Sequence, residues 1–153
     1  PARQIIAADN SAAMLDVALR HCPAGLRERI RPLHTSAFAI DLPDRSVDSI
    51  FCMRLLHHIG EPEHRLAMLR EFHRVSRDTV ILSLWVDGNY LAWRRRRQET
   101  QRQRRGRTGY QNRHVLPRAT AEAEFASAGF EIIGHLDFLP LHSMWRVYVL
   151  RRA

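Results

Sequence analysis

Short apolar runs alternate along this chain with segments that are apolar on only one helical face, and that alternation restricts the fold more than any other feature. Ile5-Ile6-Ala7-Ala8 is a brief apolar run that stops at Asp9, as a buried parallel strand does. Asn10 or Ser11 is then placed to cap a helix over 12–21, with Met14, Leu15 and Ala18 on one face. Cys22-Pro23-Ala24-Gly25 breaks that helix. A second short strand is expected over 30–33, a turn over Leu42-Pro43-Asp44-Arg45-Ser46, and a strand over 47–53. Residues 61–75 read as an amphipathic helix, because Leu66, Leu69, Phe72 and Val75 recur at helical spacing while Arg and Glu fill the other face.

The second half repeats the pattern. A buried strand is expected over 79–86, a turn at Asp87-Gly88-Asn89, and a helix over 90–103 whose basic half has no apolar stripe. Residues 106–113 read as loop, 118–128 as a helix that stops at Gly129, and 130–139 and 145–150 as two strands. Only Pro140-Leu141-His142-Ser143 and their immediate neighbours join those strands, too short a link for a parallel crossover, so the pair should be antiparallel. Strands alternating with helices predict an α/β sheet with helices on both faces, closed by an antiparallel hairpin.

Composition narrows the function. The length of 153 residues fits one domain, and 45% apolar residues suffice for a core. No apolar run approaches the roughly 20 residues of a membrane span. Pro1-Ala2-Arg3-Gln4 leads straight into an apolar run with no charged-then-apolar leader, so a lost upstream segment is expected rather than a signal peptide. The two cysteines, Cys22 and Cys52, have no metal-knuckle or redox spacing, and Cys52 in Ile50-Phe51-Cys52-Met53 should be a buried, inert thiol. With nothing arguing for secretion, the cytoplasm is the expected compartment. The formal charge is +8, and all 24 basic residues are Arg. Eight of them lie in residues 94–107 beside a single Glu, a local net of +7, so the charge belongs to one segment and not to a whole nucleic-acid-binding face. Fourteen residues carrying that charge without an apolar stripe should fray and stay mobile unless an anion binds them.

Several segments together resemble the class I S-adenosylmethionine-dependent methyltransferases, nearest to the small enzymes of quinone and lipid-intermediate methylation. Ile6-Ala7-Ala8-Asp9-Asn10-Ser11-Ala12-Ala13-Met14-Leu15 is similar to that family's second strand and the helix after it. Leu42-Pro43-Asp44-Arg45-Ser46-Val47-Asp48-Ser49-Ile50 resembles the turn entering the fourth strand, and Leu55-Leu56-His57-His58-Ile59 the segment after it. Leu69-Arg70-Glu71-Phe72-His73-Arg74-Val75 resembles the helix before the fifth strand, and Ala128-Gly129-Phe130-Glu131 the entry to the sixth. The resemblance implies a Rossmann-like α/β sheet with a C-terminal antiparallel hairpin. The family's first strand, glycine-rich cofactor turn and following helix are expected to lie before residue 1. A sheet without its first strand would leave two apolar edges unpaired, so self-association is expected. One further departure is Ser76-Arg77-Asp78-Thr79, where the family has a Pro-Gly-Gly turn.

The same resemblance implies S-adenosylmethionine as cofactor. Asp9, a carboxylate at the carboxyl end of a parallel strand, would accept hydrogen bonds from both ribose hydroxyls. The competing role for Asp9 is to cap the next helix, which Asn10 or Ser11 could do instead. Asn10 and Met14 would lie near the adenine, and Ser36, Ala37 and Phe38 fall where the family reads the adenine edge, Ser36 standing where many members carry Asp. Arg54 and Leu55 would close over the cofactor. His57 or His58 could act as a base, His58 being the candidate, against a purely structural or exposed pair. Zinc on His57, His58, His64 and His73 is disfavoured, because adjacent histidines rarely share a tetrahedral site. The Arg-rich insertion over 94–113, flanked by Trp93 and Tyr110, would border the acceptor. Guanidinium forks there suit an anionic small molecule, a lipid-linked intermediate or a glycan phosphate. The alternative is a non-catalytic methyltransferase-like domain that binds an acidic partner or RNA through Arg94–Arg107.

Overall fold

The computed structural model describes residues 4–106 and 113–153. In chain order the elements are β1 (Ile5–Asp9), α1 (Ala12–His21), α2 (Ala24–Arg27), β2 (Ile30–His34), β3 (Val47–Cys52), a 3-10 turn (Leu56–His58), α3 (Pro62–Val75), β4 (Ser76–Trp85), α4 (Tyr90–Arg104), α5 (Arg118–Ser127), β5 (Phe130–Asp137) and β6 (Trp145–Arg152). The loop expected over 106–113 lies, apart from its two end residues, outside the described residues. The chain divides into two compact units, Pro1–Leu42 and Pro43–Ala153.

In the first unit β1 and β2 pair in parallel, with Ile5 opposite Ile30 and Asp9 opposite His34. Pro32 is accommodated in β2 because that strand has β1 as its only described partner, and an edge strand can spare an N–H. Ser11 is the cap of α1, its Oγ accepting from the Met14 amide at 3.4 Å. Pro23 does more than break α1: it stands at the N-cap of the one-turn helix α2, where a missing N–H costs nothing. Leu15 is the one buried side chain among the described residues of this unit.

The second unit holds a four-stranded sheet ordered β3-β4-β6-β5. β3 runs parallel to β4, with Ile50 opposite Val80, and β6 runs antiparallel to both β4 and β5. The expected hairpin is therefore present, with its second strand inserted beside β4. Val80, Leu82 and Leu84 of β4 are wholly buried, and Ser83 and Trp85 are buried between and beside them. Burial of successive residues means both faces of this strand are covered. β4 begins at Ser76, three residues before the expected strand, because nothing in Ser76-Arg77-Asp78 forces a turn. The Ser76 hydroxyl instead donates to the Phe72 carbonyl at 2.7 Å, and the chain passes straight from α3 into the strand.

Two expectations need correction. The buried face of α3 is Arg65, Met68, Leu69, Phe72 and Val75, with Leu66 only half-buried. Arg65 reaches that face because Glu124 of α5 neutralises it. The Arg-rich segment does not fray over residues 94–104: α4, the helix expected over 90–103, continues regularly to Arg104. Asn89 caps it, its Oδ1 accepting from the Ala92 amide at 3.0 Å. Arg95 pairs with Glu99 at 2.8 Å one turn on and donates to the Arg113 carbonyl at 3.0 Å, while the Arg97 guanidinium lies 4.9 Å over the Trp93 ring. These contacts offset the like-charge repulsion that the bare sequence suggests. No helix among the described residues is long and apolar enough to cross a membrane.

Candidate functional site

In the first unit the candidate residues gather at the carboxyl ends of β1 and β2, the end of a parallel sheet where open α/β folds bind ligands. Asp9 ends β1 and is exposed. Its Oδ1 accepts from the Ser11 amide at 2.8 Å, while the helix cap itself is supplied by Ser11. Among the described residues Oδ2 has no hydrogen-bond partner. The Asp9 carbonyl accepts from the Thr35 amide at 3.0 Å, and the Asn10 carbonyl lies 3.0 Å from His34 Nε2. These bonds tie the end of β1 to the start of the next loop.

That loop is organised by its own hydroxyls. Thr35 Oγ1 donates to the Ala39 carbonyl at 3.2 Å and accepts from the Asp41 amide at 3.0 Å. Ser36 Oγ accepts from the Phe38 amide at 3.2 Å, and Ser36 and Ala39 form an isolated bridge. Ser36, Ala37 and Phe38 are thus held as a tight turn beside Asp9 and Asn10. Phe38 and Met14 are 46% and 56% exposed, so neither is core.

The other candidates belong to the second unit. Arg54 follows β3 with φ of +63°, and its amide donates to Ser83 Oγ at 2.9 Å. A left-handed Arg is costly, and this bond to the neighbouring strand fixes it. Leu55 is exposed. The histidine pair then splits: His58 is exposed, while His57 is 2% exposed. Burial, followed by the charges of His58, Arg113, Arg54 and His114, pushes the His57 imidazole down to about 4, so it is neutral near pH 7. Among the described residues no group of His, Cys, Asp and Glu is arranged to hold a metal ion.

Around His57 lies a cluster that the sequence reading missed. His57 stacks on Trp85 at 4.8 Å and meets the edge of Trp145 at 5.0 Å. The two indoles contact edge to face at 5.6 Å. Arg95 and Arg113 lie 5.2 and 5.8 Å from the Trp85 ring, and Arg54 5.8 Å from that of Trp145. His57 Nδ1 and Trp85 Nε1 are buried without a hydrogen-bond partner among the described residues. Three guanidiniums over two indoles, with buried polar groups between, suit a planar anionic ligand. The signal in the sequence was only that Trp85 ends one strand and Trp145 begins another. Their adjacency required knowing that β6, not β5, lies beside β4.

Known proteins share the fold and, over half of the sequence, the family. No curated protein matches the sequence. Among solved structures, magnesium protoporphyrin IX methyltransferase from Synechocystis PCC 6803 with bound SAH superposes with a TM-score of 0.73 at 14% identity, over 98% of this chain and 64% of that one. A SAM-dependent methyltransferase from Methanosarcina mazei gives 0.74 at 16% identity, over 97% of this chain and 82% of that one. A possible exported protein from Bordetella parapertussis gives 0.72 at 16% identity, over 97% of this chain and 53% of that one. The chain thus spans about half to two thirds of the length of two of these three structures, and at such identities the likeness shows a shared α/β fold. The family described as "Methyltransferase domain" matches residues 1–79, just over half of the sequence. The chain belongs to the methyltransferase-domain family.

Proposed function

We propose that residues 1–153 belong to one methyltransferase domain, whose first strand and glycine-rich turn lie before residue 1, and that the domain takes S-adenosylmethionine as cofactor and methylates an anionic acceptor. The observation that carries the cofactor assignment is the exposed Asp9 carboxylate at the end of a parallel strand, beside the ordered turn of Ser36, Ala37 and Phe38. That donor set fits a nucleoside: a carboxylate for two vicinal hydroxyls, a polar turn for a base edge, and Phe38 and Met14 for its faces. S-adenosylmethionine, when bound, supplies a methyl group on a sulfonium.

Residues of this chain hold the cofactor's nucleoside end and face the acceptor. Asp9 orients the ribose, and Asn10, Met14 and Ser36–Phe38 enclose the base. Arg54 and Leu55 are assigned to the covering segment on the ground of the family resemblance. An anionic acceptor is supported by the positive charge that Arg54, Arg95 and Arg113 place around Trp85 and Trp145. His58, exposed next to that cluster, is the group able to take a proton from a nucleophilic hydroxyl or amine, while neutral, buried His57 packs between the indoles. Orienting the acceptor contributes most where the leaving group is already activated.

Titration calorimetry with S-adenosylmethionine on wild type and Asp9→Ala tests the reading. Loss of the charge-assisted contacts should weaken binding roughly tenfold or more. Equal affinities for the two proteins would remove Asp9 from the cofactor site.

A further inference from the structure

The turn joining β5 to β6 presents an apolar surface that the family assignment does not use. Leu136, Phe138, Leu139 and Leu141 are 71%, 65%, 56% and 83% exposed, and Pro140 lies among them. Exposed apolar side chains scattered singly need no explanation, but four within six residues form a patch. Backbone geometry sharpens the point. Leu139 and Leu141 have φ of +54° and +64°, a region that favours Gly or Asn and that a leucine enters at a cost. The turn is nonetheless closed by bonds from the His142 and Ser143 amides to the Leu139 carbonyl at 3.1 and 3.0 Å. Strain is being held so that two leucines point into solvent.

This turn is fastened to the basic helix. The Tyr90 and Leu91 amides, at the start of α4, donate to the carbonyls of Leu141 and His142 at 2.9 and 3.1 Å. Tyr90 stacks on His142 at 5.5 Å. Tyr90, Trp93, Arg96 and Leu141 line one open groove. Tyr90 and Trp93 are about half exposed, and Arg94, Arg96 and Arg97 follow them on the helix, all exposed. Over Tyr90–Arg104 six Arg stand against Glu99, a net of +5. Leucines at a tip, two amphipathic rings behind them and arginines behind those are the order in which a bilayer presents acyl chains, interface and anionic headgroups.

We propose that the β5–β6 turn and the first turns of α4 dock on an anionic lipid bilayer, the leucines entering the acyl boundary and the arginines meeting headgroup phosphates. RNA offers the charge but nothing to receive an aliphatic turn. A second copy of this chain would bring the same +5 against itself. The proposal goes beyond the methyltransferase reading and needs neither cofactor nor acceptor.

Vesicle flotation of the full chain tests it, with phosphatidylglycerol–phosphatidylcholine vesicles beside pure phosphatidylcholine. Binding should occur on the anionic vesicles and fall with added salt. Leu139→Asn with Leu141→Asn should weaken it about tenfold or more by removing the buried apolar area. The melting temperature of that variant should hold or rise, because Asn accepts a left-handed backbone. Phe138→Ser, at an ordinary backbone position, should weaken binding in the same sense and covers the case in which the double variant misfolds. Arg94→Gln with Arg97→Gln should also weaken it about tenfold or more. No binding to either vesicle overturns the proposal. So does equal binding to both, or vesicle binding unaffected by every apolar substitution. RNA binding that depends on the arginines alone, without vesicle binding, or a dimer abolished by the leucine changes, overturns it as well.

Discussion

Arg65 of α3 and Glu124 of α5 form a two-pronged ion pair inside the second unit, Nε to Oε2 at 2.8 Å and Nη2 to Oε1 at 2.6 Å. Both side chains are less than 10% exposed, and Arg65 Nη1 also donates to the Ile59 and Gly60 carbonyls at 3.1 and 2.5 Å. Removing Glu124 would leave a buried guanidinium with no counter-charge. Glu124→Ala should therefore destabilise the chain by about 3–5 kcal/mol in urea unfolding. Arg65→Met combined with Glu124→Leu should recover part of that loss, since an apolar pair removes the stranded charge. A loss below about 1 kcal/mol for Glu124→Ala would mean that the pair is solvated.

Stability should fall on acidification. His57 has its imidazole pushed from 6.5 down to about 4 by burial first and neighbouring positive charge second. Between those pH values the unfolded chain binds a proton that folded His57 refuses. The contribution is complete above pH 6.5, is lost as pH falls towards 4, and changes no further below that, amounting to about 3 kcal/mol at most. His73 is lowered in the same direction, by burial and then Arg152, and steepens the slope. His57→Phe keeps a ring against Trp85 and Trp145 and should flatten the pH dependence of the unfolding midpoint between 6.5 and 4. An unchanged slope would place the titration elsewhere.

Gly129 should not tolerate a side chain. Its φ is +88°, and a Cβ there would stand 2.9 Å from His73 Nε2. Gly129→Ala combines a left-handed Ala, costing roughly 1–2 kcal/mol, with displacement of that ring. A lowered melting temperature is expected. Pairing it with His73→Ala should recover the clash component and leave the backbone cost.

Asp9 can be separated into its two roles. Asp9→Asn keeps an oxygen for the Ser11 amide but loses the charge that strengthens a bond to a ribose hydroxyl. Its melting temperature should match wild type, while affinity for S-adenosylmethionine drops about tenfold. A variant that melts early but binds normally would make Asp9 structural.

Much of this architecture was legible in the sequence, and the misses have physical causes. The bounds of α1 came out in full because Ser11 and Cys22-Pro23 punctuate it. The antiparallel hairpin followed from the shortness of the link over 138–144. Periodicity could not see Arg65 as core, since a lone Arg on an apolar face looks like a solvated one until its partner 59 residues away is known. The helix expected over 90–103 is α4, but net charge could not show that its basic part holds, because the offsetting contacts come from Glu99, Trp93 and the Arg113 carbonyl. Of the residues proposed for the site, the place of Asp9 at the end of a parallel strand was readable. The Trp85–Trp145–His57 cluster was not, because it depends on which strand of the hairpin lies next to β4.

Among the described residues the first unit carries Asp9 on a sheet of two strands, with Leu15 as its one buried side chain. A two-stranded ribbon with so little apolar burial is marginal by itself. Its amides should exchange with deuterium through openings that cost far less than global unfolding, whereas those of β4 and β6 exchange only when the whole unit melts. A ligand gripping Asp9 would close such openings by mass action, gaining about 2.7 kcal/mol of protection at a hundredfold excess over its dissociation constant. Cofactor concentration would then set how much of the time β1 and β2 exist as a sheet at all, making occupancy and local folding a single equilibrium.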